Sequence, residues 1–277
     1  MSIKKNEYIM ESNREAYRLD LKTDSITLKK QAVWAGIKQG MRVADIGFGS
    51  GKTAFLLNQL VSPGGRVVGV DRSERRLKHA RDNYHADGLE FICKDILEPF
   101  ENQEGLIKEL GTFDFIWARF FLEYHRKKSF DIVEKLSAIL KPGGIICLID
   151  LDYNCLNHFG HSMRLEKTIN GLMGRLEAEA DFDPYIGRKL YSFLYDLGYN
   201  NIDVAVDPHH LIFGELEEKD RVNWEMKIEV AAKNSGYAFE EYNGEYENFL
   251  KEFKEFFSDP RRFTYTPLIS CRGQKPL

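Results

Sequence analysis

No apolar run in the 277-residue sequence approaches the ~20 residues of a membrane span. The opening MSIKKNEYIM also lacks the apolar core of a secretory signal. A cytoplasmic protein with no membrane partner is therefore expected. Cysteine is scarce: Cys93, Cys147, Cys155 and Cys271 lie far apart with no CxxC pair, which fits buried free thiols in a reducing compartment. Positive charge is short as well. With 39 Lys and Arg against 43 Asp and Glu, the net charge is −4, which argues against a general polyanion binder and against a nucleic-acid partner. The basic runs DRSERRLKHAR and HRKK read as solvated helix faces. Internal repeats and low-complexity segments are absent. What remains is ordinary for a globular chain: 43% hydrophobic and 30% charged residues, enough for one large domain with a real core.

Along that chain, apolar runs rich in β-branched residues alternate with helical stretches. MRVADIG, GRVVGVD, LEFICKD, FDFIWAR and GIICLID read as strands. Residues 51–61, 74–85 and 130–140 read as helices between them. Strands joined by helices build βαβ units, hence an α/β protein with a parallel sheet covered on both faces. After Asp150 the rhythm changes. Residues 154–180 read as helical, IGRKLYSFLYDLGYNN as an amphipathic helix closed by Gly198, and IDVAVD as a sixth strand. Residues 215–258 read as two charged helices broken near Gly244, before a last strand in FTYTPLISCRG.

The stretch VADIGFGSGKTAFLL sets glycines at 47, 49 and 51 between the first strand and the first helix. A phosphate-binding P-loop requires GxxxxGK[ST]; Gly51-Lys52-Thr53 supplies its end, but Ile46 stands where its first glycine belongs. The dinucleotide fingerprint GxGxxG fails too, because the third glycine comes one residue early.

The ordered set fits another pattern. DxGxGxG ends the first strand, Asp71 ends the second in VVGVDRS, and Asp95 ends the third in FICKDILE. FDFIWARFFLEY and LKPGGIICLID follow at the fourth and fifth. Together these resemble the class I S-adenosylmethionine-dependent methyltransferases of the bacterial small-molecule type. YIMESNREAYRLDLKT is similar to the leader of a bacterial subgroup of that family. The resemblance implies a Rossmann-like, doubly wound, mostly parallel sheet of seven strands. It further implies S-adenosylmethionine as cofactor, S-adenosylhomocysteine as product, and methyl transfer to an N, O or C atom of a small metabolite.

For individual residues the resemblance implies that Asp71 takes the ribose hydroxyls and Asp95 the adenine amino group, with Ile96 beside the ring and Arg72 flanking it. It sets Asp45 near the cofactor amino group, and Ala118 and Arg119 along the methionyl chain. Glycine freedom at Gly47, Gly49 and Gly51, with Phe48 between, lets backbone approach the ligand. Lys52 is expected to point to solvent. No catalytic residue is assigned. A single domain over residues 1–277 is expected, with a leader at 1–36 and helical insertions at 152–181 and 207–263 forming a lid. Tyr153 and His209 are its candidate pocket residues, and the leader around Tyr8 and Arg18 is expected to close over the cofactor. His209 and His210 are also weighed as general bases against a solvated turn.

CLNHFGH would align Cys155, His158 and His161 on one helix face, yet no partner pair accompanies them, and no metal is expected. The missing [DN]PP[YFW] tetrapeptide and Pro-Cys nucleophile after the fourth strand speak against base methylation. Monomer and homodimer both remain open. A nicotinamide-dependent oxidoreductase and a non-catalytic cofactor-binding protein are the alternative readings.

Overall fold

The computed structural model describes residues 18–20, 23–98 and 103–277. Helix α1 (Ser25–Ala35) is started by Asp24, whose side chain accepts from the Thr27 N–H at 2.7 Å, and is closed by left-handed Gly36. There follow β1 (Arg42–Ile46), α2 (Lys52–Val61), β2 (Arg66–Asp71), α3 (Glu74–Asn83), β3 (Leu89–Cys93), α4 (Gln103–Leu110) and β4 (Phe113–Arg119). Next come α5 (Ser129–Ile139), β5 (Leu140–Leu151), β6 (His158–Phe159), α6 (Met163–Glu179), α7 (Leu190–Asp196), β7 (Asn200–Ile212), α8 (Glu218–Ser235), α9 (Tyr246–Ser258) and β8 (Phe263–Gln274).

The sheet runs β3-β2-β1-β4-β5-β8, with β7 on the far side of β8. β1 to β5 pair in parallel, and β8 runs antiparallel to both β5 and β7. The chain order reverses between β1 and β4, so the carboxyl ends of β1, β2 and β4 open onto one crevice. Buried strands such as β1 and β4 carry near-continuous apolar runs because helices cover both faces. Leu28, Leu57, Phe115 and Trp117 pack on one side of the sheet, and Ile116, Leu136, Leu148 and Leu190 on the other. A third apolar cluster, with Leu165, Leu172, Phe249 and Phe253, joins α6, α8 and α9.

The structure departs from the sequence reading in several places. The sheet has an eighth strand, the two-residue β6, which pairs with β8 at Phe263 and Thr264. Helix α6 starts only at Met163, where Ser162 caps it by accepting from the Leu165 N–H at 3.0 Å. Cys155, His158 and His161 therefore do not share a helix face. His209 and His210 lie inside β7 and not in a turn, because that strand continues to Ile212. No described helix is long and apolar enough to cross a membrane.

Candidate active site

β1 delivers Asp45 and Ile46 to the crevice and then turns through Gly47, Gly49 and Gly51, all at positive φ (73°, 60° and 95°). The Gly47 N–H donates to the Val70 carbonyl at 2.7 Å, tying the turn to β2. The Gly49 N–H donates to Asp71 Oδ2 at 3.1 Å. A Cβ at Gly47 would lie 2.6 Å from the Phe121 ring, and one at Gly49 would lie 2.9 Å from the Leu19 side chain. Gly51 serves a different purpose. It is the N-cap of α2, and a Cβ there would lie 2.7 Å from Ala80 Cβ on α3, so its bareness permits helix packing.

The loop opens on a cavity of about 1160 Å³, counting its mouth. Asp45, Gly47, Phe48, Gly49, Asp71 and Arg72 line it, as do Asp95, Ile96 and Arg119. Arg18 and Leu19 from the leader lie on its wall; Tyr8 is outside the described residues. Gly51 and Ala118 are not on the wall, and Ala118 is buried in the sheet core. Lys52 does not point to solvent as expected: its ammonium donates to the Asp20 carbonyl at 2.7 Å, fastening the leader to the first turn of α2.

The acids at the strand ends differ in their bonding. Asp71 is buried; beyond the Gly49 bond, its Oδ1 accepts from the Ser73 N–H at 3.0 Å and its Oδ2 from Arg76 Nη1 at 3.3 Å. Asp95 Oδ1 accepts from the Leu97 N–H at 2.8 Å, and the residue lines the cavity. Asp45 Oδ2 is buried with no hydrogen-bond partner. Burial first, then the charge of Asp71, push the Asp45 carboxyl up to about 8, against the pull of Arg119 and the Ala54 N–H. Arg119 Nε is also buried and unpartnered, and its guanidinium stands 4.1 Å from the Phe120 ring centroid. Burial lowers Arg119 to about 10 despite Asp150 and Asp45 nearby, so it stays a cation at neutral pH.

The Asp45 proton has a consequence for stability. Its folded pKa lies above the ordinary 3.8, so the folded chain holds a proton that the unfolded chain releases, and stability falls as pH rises from about 4 towards 8. Asp45→Asn removes that loss. The cofactor-free variant is expected to melt above the wild type at pH 8, with the gap closing towards pH 4. Parallel melting curves across that range refute the assignment.

A second cavity, about 760 Å³ with its mouth, lies against the first. Its walls are mainly apolar, from Ile169 and Met173 of α6, Trp224, Ile228 and Ala231 of α8, and Phe253 of α9. Arg18, Glu123 and Tyr124 line both cavities. Glu123 is buried, and its Oε2 accepts from Asn154 Nδ2 at 2.8 Å. Its turn is held by Asp150 at the end of β5, whose Oδ2 accepts from the Leu122 and Glu123 N–H groups at 2.9 and 3.3 Å. Burial and the adjacent Glu123 raise the Asp150 carboxyl well above its usual range.

No motif in the sequence assigns a role to Glu123. Its one available signal was an acid four residues beyond Arg119 in RFFLEYH. The two candidate pocket residues of the lid lie elsewhere. Tyr153 is partly exposed and edge-on to Tyr185 with Arg188 against its ring, and His209 packs on Phe120 and His210; neither is on the wall of either cavity. His158 does line the second cavity, where Nδ1 meets Thr264 Oγ1 at 2.9 Å and Nε2 meets the Cys155 carbonyl at 3.1 Å. Burial lowers its pKa to about 4, so it is a neutral structural histidine.

A crevice at the reversal point of a parallel sheet, glycine-lined and edged by acids at successive strand ends, defines a nucleoside-cofactor site on a Rossmann-like fold. A family model described as a methyltransferase domain matches residues 37–198. The chain belongs to the class I S-adenosylmethionine-dependent methyltransferases, and it is an enzyme that uses that cofactor. It is 23% identical over 173 residues to a demethylmenaquinone methyltransferase of Staphylococcus aureus (strain JH9), covering 59% of this chain and 68% of the relative. Among solved structures, the YcgJ protein of Bacillus subtilis superposes with a TM-score of 0.55 at 15% identity, covering 92% of this chain and all (100%) of the other. Coclaurine N-methyltransferase, bound to N-methylheliamine and S-adenosylhomocysteine, superposes at 0.50 with 17% identity, covering 90% and 72%. Family membership displaces the oxidoreductase and non-catalytic readings.

Proposed function

We propose that the enzyme methylates a small acceptor with an apolar body, the cofactor lying in the first cavity and the acceptor in the second. The observation that carries this reading is the shared wall: Glu123 and Tyr124 face both spaces. Helices α6, α8 and α9 then serve as the lid over the acceptor. S-adenosylmethionine supplies a methyl group already activated by its sulfonium. What the protein adds is position and a water-poor surrounding, which together favour in-line displacement.

The residues of the first cavity suit the cofactor's parts. Asp45 Oδ2 and Arg119 Nε are buried atoms without partners, a carboxyl that can ionise and a guanidinium cation, as a zwitterionic amino-acid end requires. Asp71 would accept from the ribose hydroxyls, Asp95 from the adenine amino group, and Phe48, Arg72 and Ile96 would enclose the ring system. Gly47 and Gly49 would admit the backbone to the ligand. An arriving ammonium favours the ionised form of Asp45, so binding at pH 6.5 is expected to release about one proton. Calorimetry in buffers of different ionisation heat measures that number, and Asp45→Asn should abolish it. Zero release by the wild type counts against the Asp45 role.

The acceptor reading is tested by filling the second cavity. Ala231→Phe places a ring among Trp224, Met173 and Phe253 while leaving the first cavity intact. S-adenosylmethionine affinity should stay within about twofold. Transfer of labelled methyl to small phenols, amines and acids, followed by mass spectrometry, should fall by about a hundredfold. Undiminished transfer by a well-folded variant sinks the reading. Methylation of only protein or carrier-bound acceptors would point to a larger substrate.

A further inference from the structure

A polar seam crosses the mainly apolar wall of the second cavity. Glu123 Oε2 accepts from Asn154 Nδ2 at 2.8 Å, the Cys155 thiol donates to Asn154 Oδ1 at 3.3 Å, and Lys227 Nζ stands 3.8 Å from that sulfur. The seam thus runs from a carboxylate beside the cofactor cavity to an ammonium on the lid helix α8. Lys227 is unusual on that helix. Lys219 pairs with Glu217, Arg221 with Glu218 and Glu225, and Lys233 with Glu229. At helical spacing from Lys227 stand Asn223, Trp224, Val230 and Ala231, which offer no carboxylate. Its neighbours are the thiol and the Trp224 ring, 5.1 Å away.

A cation facing an apolar space with no carboxylate partner among the described residues lacks the compensation that such sites normally carry. We infer that Lys227 reads an anionic group, carboxylate or phosphate, on an acceptor whose apolar body fills the second cavity. The arrangement also orients the acceptor. Lys227 draws the anion to the lid end, so the opposite end of the molecule is presented to the methyl group. The thiol neighbour offers only a weak hydrogen bond, which an anionic oxygen readily replaces.

This inference rests on the acceptor reading of the second cavity, and its test separates the two. The full chain, loaded with S-adenosylhomocysteine, is titrated with decanoate, decyl phosphate, decanol and decyltrimethylammonium, each below its micellar concentration. Against the wild type the two anions should bind about tenfold to a hundredfold more tightly than decanol, with decyltrimethylammonium weakest; comparing decanoate with decyl phosphate tells which anion is read. Lys227→Met should remove the anion preference while decanol binds as before, and Lys227→Arg should retain it. S-adenosylmethionine affinity should be unchanged in both variants, which shows that each is folded. Equal binding of decanoate and decanol by the wild type, or an anion preference that survives in Lys227→Met, overturns the role of Lys227 and leaves the acceptor cavity standing. Binding that survives Ala231→Phe, or no binding by any probe, removes the acceptor reading and this inference with it.

Discussion

Asp71→Ala is expected to weaken S-adenosylmethionine binding by at least tenfold to a hundredfold. A carboxylate accepting from two ribose hydroxyls contributes hydrogen bonds to a charged group, worth about 1.5–3 kcal/mol. The same carboxylate also holds the glycine loop through the Gly49 N–H, so truncation loosens the surface against which the cofactor lies. It further removes a partner of Arg76, with which Asp71 forms a buried ion pair at 3.3 Å. Part of the loss will therefore show as a lower melting temperature, because breaking a buried pair from one side exposes the other charge to an apolar setting. Asp71→Asn separates the effects. It keeps a carbonyl for the Gly49 N–H and keeps the side-chain volume, yet it has lost the charge and one acceptor oxygen. A well-folded Asp71→Asn that binds with wild-type affinity in calorimetry would falsify the ribose role, leaving Asp71 as a loop-fastening residue.

Gly49→Val should abolish detectable cofactor binding, a loss of more than about a hundredfold. Two causes act together. At φ 60° a side chain strains the backbone, and the Cβ itself would press to 2.9 Å of Leu19 on the cavity wall. A branched residue then takes up more of the cavity proposed for the cofactor. Gly40 supplies the control, since it is also left-handed, at 83°, and has nothing within 4 Å of an added Cβ. Gly40→Ala should cost stability of about 1 kcal/mol through strain alone and leave binding untouched. Were Gly49→Val to bind normally while melting like Gly40→Ala, the glycine would be a turn residue and nothing more.

The residues legible in the sequence are those whose place follows from local geometry. Asp45, Gly47, Gly49, Asp71, Asp95 and Arg119 sit at or just beyond the ends of β1 to β4, and all of them line one cavity. Parallel strands joined by right-handed crossovers bring their carboxyl ends to the same edge, so finding the strands already brings these residues together. Gly51 shows where that logic stops. Its positive φ was foreseeable from the loop, but its neighbour, Ala80 on α3, belongs to a helix packed across the loop. Lys52 reads as a solvated helix residue until the leader's Asp20 carbonyl is brought to it over 32 positions of sequence.

The second cavity was legible only as two helical insertions. Which of their residues face it depends on how α6, α8 and α9 pack on one another, and no period in one helix specifies the face of another. By position after a strand, Tyr153 and His209 read as pocket residues. The chain nevertheless turns Tyr153 outward through a left-handed residue at φ 49° and carries β7 on to Ile212, so that His209 pairs with Thr266 on β8. Glu123 and Lys227, 104 residues apart, meet the same cavity through Asn154 and Cys155. Local sequence determines the cofactor edge because strand ends are set by neighbours along the chain. Tertiary packing decides the second cavity, because its wall is made by side chains of α6, α8 and α9 that meet only once those helices pack together.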